Sequence, residues 1–290
     1  MLRASAQAQI DAGVLLVREP GSPTRAARDL GPDEGLPRIH TAGRFLAGSG
    51  RYFPGLAREV SADELPVAVA EELAWSGRWA KVIGDFFGDD GTMSPVFPTE
   101  VLVEAAAVAH SAGGRITMHC MTIAGLEQAI EAGFDSVEHA TSITPELIGE
   151  MARISMTWVP TISIIEPVRQ IILANPSSVA QAILAGFDDH ADMVCQAATA
   201  GVRVLAGTDA GVVPHGSVAA EIGLLAAAGL SSTDALAAGS WEARRYLGLP
   251  LIEDGAPADL VIYPDDPTAD LDVLGHPSLV MIDGQIVKGG

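Results

Sequence analysis

Four residues of the 290-residue sequence, Lys81, His119, His139 and Asp209, stand at or near the polar ends of short apolar, β-branched runs. Ile116 to Met118 lead into His119, Val137 into Glu138-His139, and Val202 to Ala206 into Gly207-Thr208-Asp209, while Lys81 lies in the run Trp79 to Asp85. Between the two histidines a helical run carries apolar residues at Leu126, Ala129 and Ile130, so His119 and His139 end the two strands of one βαβ unit. The strands of such a unit are parallel, which brings both imidazoles to one rim of the sheet, within reach of one divalent ion. Neutral imidazole and carboxylate are ordinary ligands of zinc and similar ions, at about 2.0–2.2 Å. A lysine ammonium cannot ligate, but the carbamate it forms with carbon dioxide is a carboxylate and can. Lys81 invites that reading because only two of the 17 basic residues are lysines, Lys81 and Lys288. Plainer roles stand beside these: a strand-end histidine that satisfies a carbonyl, a Lys81 ion-paired with Asp209 or Glu138, an Asp209 that caps the next helix.

The elements that must position these residues repeat one unit. Ala12-Gly13, Ala112-Gly113, Ala132-Gly133 and Ala200-Gly201 each close a helical run and lead within a few residues into a strand. Glycine supplies the left-handed turn at a helix end, and repeated βα units predict an α/β fold of the TIM type. Strands are predicted near residues 14, 38, 80, 116, 136, 157 and 203, seven where a closed (β/α)8 barrel needs eight. Helices are predicted over 5–12, 61–75, 99–112, 123–131, 144–153, 176–200, 218–228 and 232–248, the last opened by the capping-type run Ser231-Ser-Thr-Asp234. Residues 42–59 read as irregular, and the loop Phe86 to Pro98 as a lid or wall of a site. The loop from Gly207 to Ser217 holds His215, placed either to touch a substrate or to stabilise the loop. From Gly255 the pattern turns to short strands with an Asp283-Gly284 hairpin turn. The expected organisation is a barrel over 1–250 and a small C-terminal β appendage over 251–290. His110 reads as structural, and His40, His190 and His276 have no constellation around them.

Composition bounds the partners. The sequence is 48% hydrophobic, enough for a sizeable core, and its net charge of −20 argues against nucleic acid and anionic membrane, both polyanions. Cys120 and Cys195 make no disulfide framework and no zinc ribbon. The apolar run Ala12 to Val17 is bounded by Asp11 and Arg18-Glu19, too short for a signal peptide, and no stretch reaches a membrane span. The expectation is a cytoplasmic protein that acts on a small molecule, with assembly into a homo-oligomer left open.

The phrases Met118-His-Cys120, Ala132-Gly-Phe-Asp-Ser-Val-Glu-His139, Val204-Leu-Ala-Gly-Thr-Asp-Ala-Gly211 and Glu253-Asp-Gly-Ala-Pro-Ala-Asp-Leu-Val-Ile262 resemble the amidohydrolase superfamily. Within it the chain is similar to the imidazolonepropionase-like metal-dependent hydrolases that include Xaa-Pro dipeptidases. That resemblance implies a (β/α)8 barrel, with 253–262 returning into a β-sandwich. It implies hydrolysis of a carbon–nitrogen bond in a small substrate such as a dipeptide or an N-acyl amino acid. It further implies one or two divalent ions, zinc foremost, with Lys81 as a bridging carbamate and His119 and His139 as ligands of the second metal. Asp209 would then bind the first metal and take the proton of a bridging hydroxide, and His215 would orient the substrate. The sequence departs from the family pattern in holding no His-x-His, so the expectation is a barrel short of its first strand. That departure leaves two other readings open: a single-metal cyclic-amidine or imidazolone hydrolase or deaminase, and a barrel that binds without turnover.

Overall fold

A computed structural model describes residues 1–174 and 178–289. Its centre is a parallel sheet whose strands run, from one edge to the other, Arg203–Val204, Thr157–Val159, Ser136–His139, Arg115–Cys120, Trp79–Ile83, Phe45–Ala47 and Ala57–Glu59. The strands Trp79–Ile83, Ser136–His139 and Thr157–Val159 are buried at every position, so none shows the apolar-polar alternation of a half-exposed strand, and their polar members Lys81, Ser136, Glu138, His139 and Thr157 are buried with them. The register sets His119 beside Glu138 and Cys120 beside His139, so both histidines emerge at the carboxyl rim. Helices Leu65–Ser76, Thr99–Ser111, Ile123–Glu131 and Pro145–Arg153 alternate with these strands and cover them. Leu73, Leu102, Leu126 and Met151 from those helices meet Ile116, Met118, Val137 and Trp158 from the sheet in one core. Helix starts follow the local chemistry: Thr122 Oγ1 accepts from Gly125 N at 3.0 Å, and Ser231 Oγ accepts from Asp234 N at 3.1 Å.

Two of the expected barrel strands lie outside this sheet. Leu16–Glu19 and Arg38–Thr41 pair with each other, in parallel, as a separate ribbon, and the chain from Arg38 continues into Phe45–Ala47 of the main sheet. The break falls at Gly43, which has φ +79 and sits so close to Glu72 that a Cβ there would lie 2.4 Å from Oε2. The stretch expected to be irregular therefore contains the strands Phe45–Ala47 and Ala57–Glu59. Glu72 explains that order. It is fully buried and gathers Arg25, Arg44 and Arg58, with nitrogen to oxygen distances of 2.7, 3.1 and 3.4 Å, from three segments that carry no periodic pattern.

Other boundaries also differ from the sequence reading. The single helix expected over 232–248 is two, Ser232–Ala238 and Trp241–Leu247. Gly239 packs at the break with its Cβ position 2.6 Å from Ile222 Cδ1, and Ala238 O turns away to accept from Ala206 N. A helix at Ile165–Ala174 was not expected, and the following one is Ser178–Thr199; positions 176 and 177 of the expected helix lie outside the described residues. The loop Phe86 to Pro98 contains an antiparallel hairpin, Asp85–Phe87 with Met93–Pro95. Residues Leu260–Ile262, Leu279–Ile282 and Gln285–Gly289 form a three-stranded antiparallel sheet that packs on the N-terminal helix Leu2–Asp11 through Val280, Ile282 and Ile10.

Among the described residues no strand pairing joins Leu16–Glu19 to Arg203–Val204. A cleft of about 2100 Å³ opens between them and reaches the carboxyl rim, where Lys81, His119, His139 and Asp209 line it. Among the described residues no helix is long and apolar enough to cross a membrane.

Candidate active site

The two histidines meet. Their ring centroids are 4.8 Å apart with planes at 74°, an arrangement that two adjacent strand ends impose. Burial pushes His119 well below the usual imidazole range, and the nearby His139 and Lys81 push the same way. Burial also lowers His139, although Asp209 and Glu138 pull it back up. Both rings are therefore neutral near pH 7 and keep a lone pair to offer.

Hydrogen bonds decide which nitrogen offers it on His139. Its Nδ1 lies 2.7 Å from Thr161 Oγ1, and that hydroxyl donates to Pro160 O at 2.7 Å. A hydroxyl whose proton is committed can only accept, so Nδ1 is the protonated nitrogen and Nε2 carries the lone pair. Thr161 is itself held in place: it has φ +50, and the next two backbone amides, Ile162 N and Ser163 N, donate to the buried Glu221 carboxylate at 2.9 and 2.8 Å. His139, Ala140 and Asp209 share this left-handed backbone, at φ +66, +48 and +51. Non-glycine residues held there cost energy and cluster at functional sites.

Lys81 is 3% exposed, and burial lowers its ammonium to about 8. Its Nζ is 4.0 Å from Glu138 Oε1, but Glu138 gives its short contact, 2.5 Å, to Arg18, which reaches across from the separate ribbon and stacks 5.0 Å from the centre of Trp79. Burial raises Glu138, yet Arg18 and Lys81 outweigh it and hold the carboxylate at about 2. Lys81 is thus a lysine whose partner is already satisfied, with an appreciable neutral-amine fraction near pH 8, the form whose lone pair attacks carbon dioxide. Asp209 lies close enough for its charge to act on His139, Lys81 and Tyr52. His215 is exposed at the cleft, and its polar contact is with Gln9 Nε2 at 3.5 Å, in the N-terminal helix.

As a metal site the donors fit in type and in protonation: two neutral imidazoles face each other, one with its tautomer fixed. Among the described residues no three His, Cys, Asp or Glu side chains stand together as a complete set. The histidine pair is the nucleus that the structure provides, with Lys81 and Asp209 around it.

Sequence reasoning missed Arg18, Tyr52, Thr161 and Glu221. Glu221 left a trace, as the one charged residue in the apolar helix Val218–Ala227. Tyr52 did not, because it sits in the patternless stretch; its ring lies 5.8 Å from that of His119. His190, which had no constellation in the sequence, is fully buried, donates from Nε2 to Pro160 O at 3.0 Å, and packs against Trp158. His110 pairs with Asp135 at 3.0 Å on the surface.

A parallel sheet covered by helices, with two histidines, a lysine and an aspartate at its carboxyl rim, is a TIM-like α/β fold with its polar side chains where that class carries its chemistry. The amidohydrolase family model matches residues 54–287, and a protein of Mycobacterium tuberculosis (strain H37Rv) is 38% identical over 295 residues, covering 97% of this chain and 77% of that one. The chain belongs to the amidohydrolase family and is a hydrolase acting on carbon–nitrogen bonds, in a family that generally uses divalent metals. The mycobacterial relative is an uncharacterized protein. A crystal structure of a Xaa-Pro dipeptidase with bound methionine superposes with a TM-score of 0.85 at 25% identity, over 99% of this chain and 78% of that one. Ochratoxinase from A. niger, at 21% identity, shares the fold with a TM-score of 0.85 over 99% of this chain and 75% of its own.

Proposed function

We propose that the chain hydrolyses an amide or peptide bond of a small substrate, a class that includes dipeptides and N-acyl amino acids, with a divalent ion, zinc foremost, held by His119 and His139. The observation that carries this reading is the pair of neutral, edge-to-face imidazoles at adjoining strand ends, beside a buried lysine and across from Asp209, in a member of the amidohydrolase family. A divalent ion bound there supplies Lewis acidity, polarising a carbonyl and making water acidic near neutral pH. The remaining roles belong to the chain. Thr161 keeps His139 Nε2 available, and Lys81, as a carbamate, adds oxygen donors beside the histidines. Asp209 accepts the proton of the attacking water and passes it to the leaving amine. His215 meets the substrate from the outer cleft. Among the described residues no third His, Cys, Asp or Glu stands with the two imidazoles, so the ion that this pair and the Lys81 carbamate hold is the one expected to bind most tightly. In this reading the ribbon and the main sheet are parts of one barrel wall, and the sheet over 260–289 is an appendage to it.

The test is Asp209→Asn assayed on a panel of small amides after zinc is supplied. Turnover is expected to fall at least a hundredfold with unchanged circular dichroism, about what loss of one general base costs. An unchanged kcat would remove Asp209 from proton transfer.

A further inference from the structure

The cleft above the histidines has a chemical character of its own. Tyr52 leads from His119 into a panel of rings: Tyr52–Phe53 at 5.2 Å, Tyr52–Phe86 at 5.1 Å, Phe53–Phe86 at 5.2 Å and Phe86–Phe87 at 5.5 Å between centroids. All four line the cleft, and Phe53 and Phe87 remain 56% and 39% exposed. The panel is held rigidly, because Arg51 Nη2 donates to Phe86 O and Ser94 O, both at 2.9 Å, tying the segment that carries Tyr52 and Phe53 to the hairpin that carries Phe86 and Phe87. The cleft has a second apolar surface in the cluster of Met121, Val168, Ile172 and Ile183. Exposed aromatic faces beside a chemical centre mark a ligand surface, and pre-set rings bind without paying an ordering entropy.

The charges of the cleft point the same way. Six carboxylates line it, Glu19, Glu138, Asp209, Glu253, Asp259 and Asp265, against three cations, Arg18, Lys81 and Arg244. Both arginines are already committed, Arg18 to Glu138 at 2.5 Å and Arg244 to Asp259 at 3.5 Å, and Lys81 is an anion in the carbamate form of the proposed function. A substrate carboxylate is ordinarily clamped by an arginine fork, and among the described residues the cleft has no uncommitted arginine for it. It would instead enter a negative field, in a chain whose net charge is −20.

Resting on the amide-hydrolase reading, we infer that the substrate is a neutral amide with an aromatic or bulky apolar group seated on the Tyr52, Phe53, Phe86 and Phe87 panel, and with no free carboxylate beside the scissile bond. Among small amides this selects blocked or arylated compounds over free dipeptides. Water adds across the C–N bond, the acyl carbon takes the hydroxyl, and the amine leaves with the proton.

Three substrates separate the ideas, assayed on the full chain with zinc supplied: N-benzoylglycine methylamide, N-benzoylglycine and N-acetylglycine methylamide. The first two share one benzamide bond, whose cleavage is followed as released benzoate, and differ in the charge beside it; the first and third differ by the ring, acetate being followed for the third. The expected kcat/KM for the neutral benzoyl compound is roughly tenfold or more above each of the others. Phe53→Ala and Phe87→Ala, both at exposed positions that tolerate truncation, are expected to lower the benzoyl-to-acetyl ratio severalfold. Equal or faster cleavage of the carboxylate compound, or a ratio that neither variant moves, overturns the inference and leaves amide hydrolysis standing. If none of the three is cleaved, amide hydrolysis itself is in question, and binding then decides the substrate class by calorimetry. Tighter binding of the neutral benzoyl compound supports the inference, and equal or tighter binding of N-benzoylglycine overturns it.

Discussion

Asp85 holds the backbone that follows His119, and a double-mutant cycle with Gly125 tests that role. The Asp85 carboxylate is fully buried and accepts from Met121 N at 2.9 Å, Thr122 N at 2.8 Å and Thr122 Oγ1 at 2.6 Å. In Asp85→Ala two buried amides lose their acceptor at about 1–3 kcal/mol each, partly offset because burial already penalises the carboxylate, so a net loss of about 3 kcal/mol is expected. A Cβ on Gly125 would lie 2.3 Å from Asp85 Oδ2 and 3.2 Å from Cys120 Cβ. Gly125→Ala alone therefore costs roughly 1–3 kcal/mol of overpacking, less up to about 1 kcal/mol gained in helix propensity. Once Asp85 is alanine the oxygen is gone, and the second substitution becomes nearly free. Urea unfolding of the four proteins should give a coupling of about 2 kcal/mol, with the double variant no less stable than Asp85→Ala. Losses that simply add, within about 0.5 kcal/mol, would refute the packing argument.

Glu72→Ala strips the common partner from Arg25, Arg44 and Arg58 and should lower urea stability by about 1–3 kcal/mol, since the guanidiniums left behind are partly exposed and screened by water; a midpoint equal to the parent's would count against the clamp. His190 gives a pH signature. Burial lowers its imidazole to about 4, below the usual 6.5, so between those values the unfolded chain binds a proton that the folded one excludes. Its contribution to stability therefore rises with pH across that window, by up to about 3 kcal/mol, and is lost on acidification. His190→Gln should flatten that part of the stability profile between pH 4 and 6.5, and a profile parallel to the parent's would exclude His190 as its source.

The histidine pair was legible because one rule governs it: apolar runs buried on both faces end in polar residues at one rim, and a βα unit between two such runs makes them parallel. Sequence spacing put His119 and His139 at one rim, where the structure has them, and the scarcity of lysine singled out Lys81. The features that escaped depend on partners far apart in the chain. The strand break at Gly43 is set by Glu72 and its three arginines, and Thr161 is set by Glu221, sixty positions on, through two backbone amides. Tyr52 lies where neither a period of 2 nor one of 3.6 exists, and its place beside His119 comes from Arg51 pinning the hairpin. His215, which its loop position placed either to touch a substrate or to stabilise the loop, lines the cleft with its ring 3.5 Å from Gln9 Nε2.

The claim at the centre of this account is that His119 and His139 hold the ion on which hydrolysis depends. Equilibrium dialysis of the full chain against zinc, read by plasma emission, tests it most directly when the parent is set beside the His119→Ala/His139→Ala double variant. About one tightly held ion per chain is expected in the parent and none in the double variant, with both proteins folded. Equal zinc uptake by the two would contradict it.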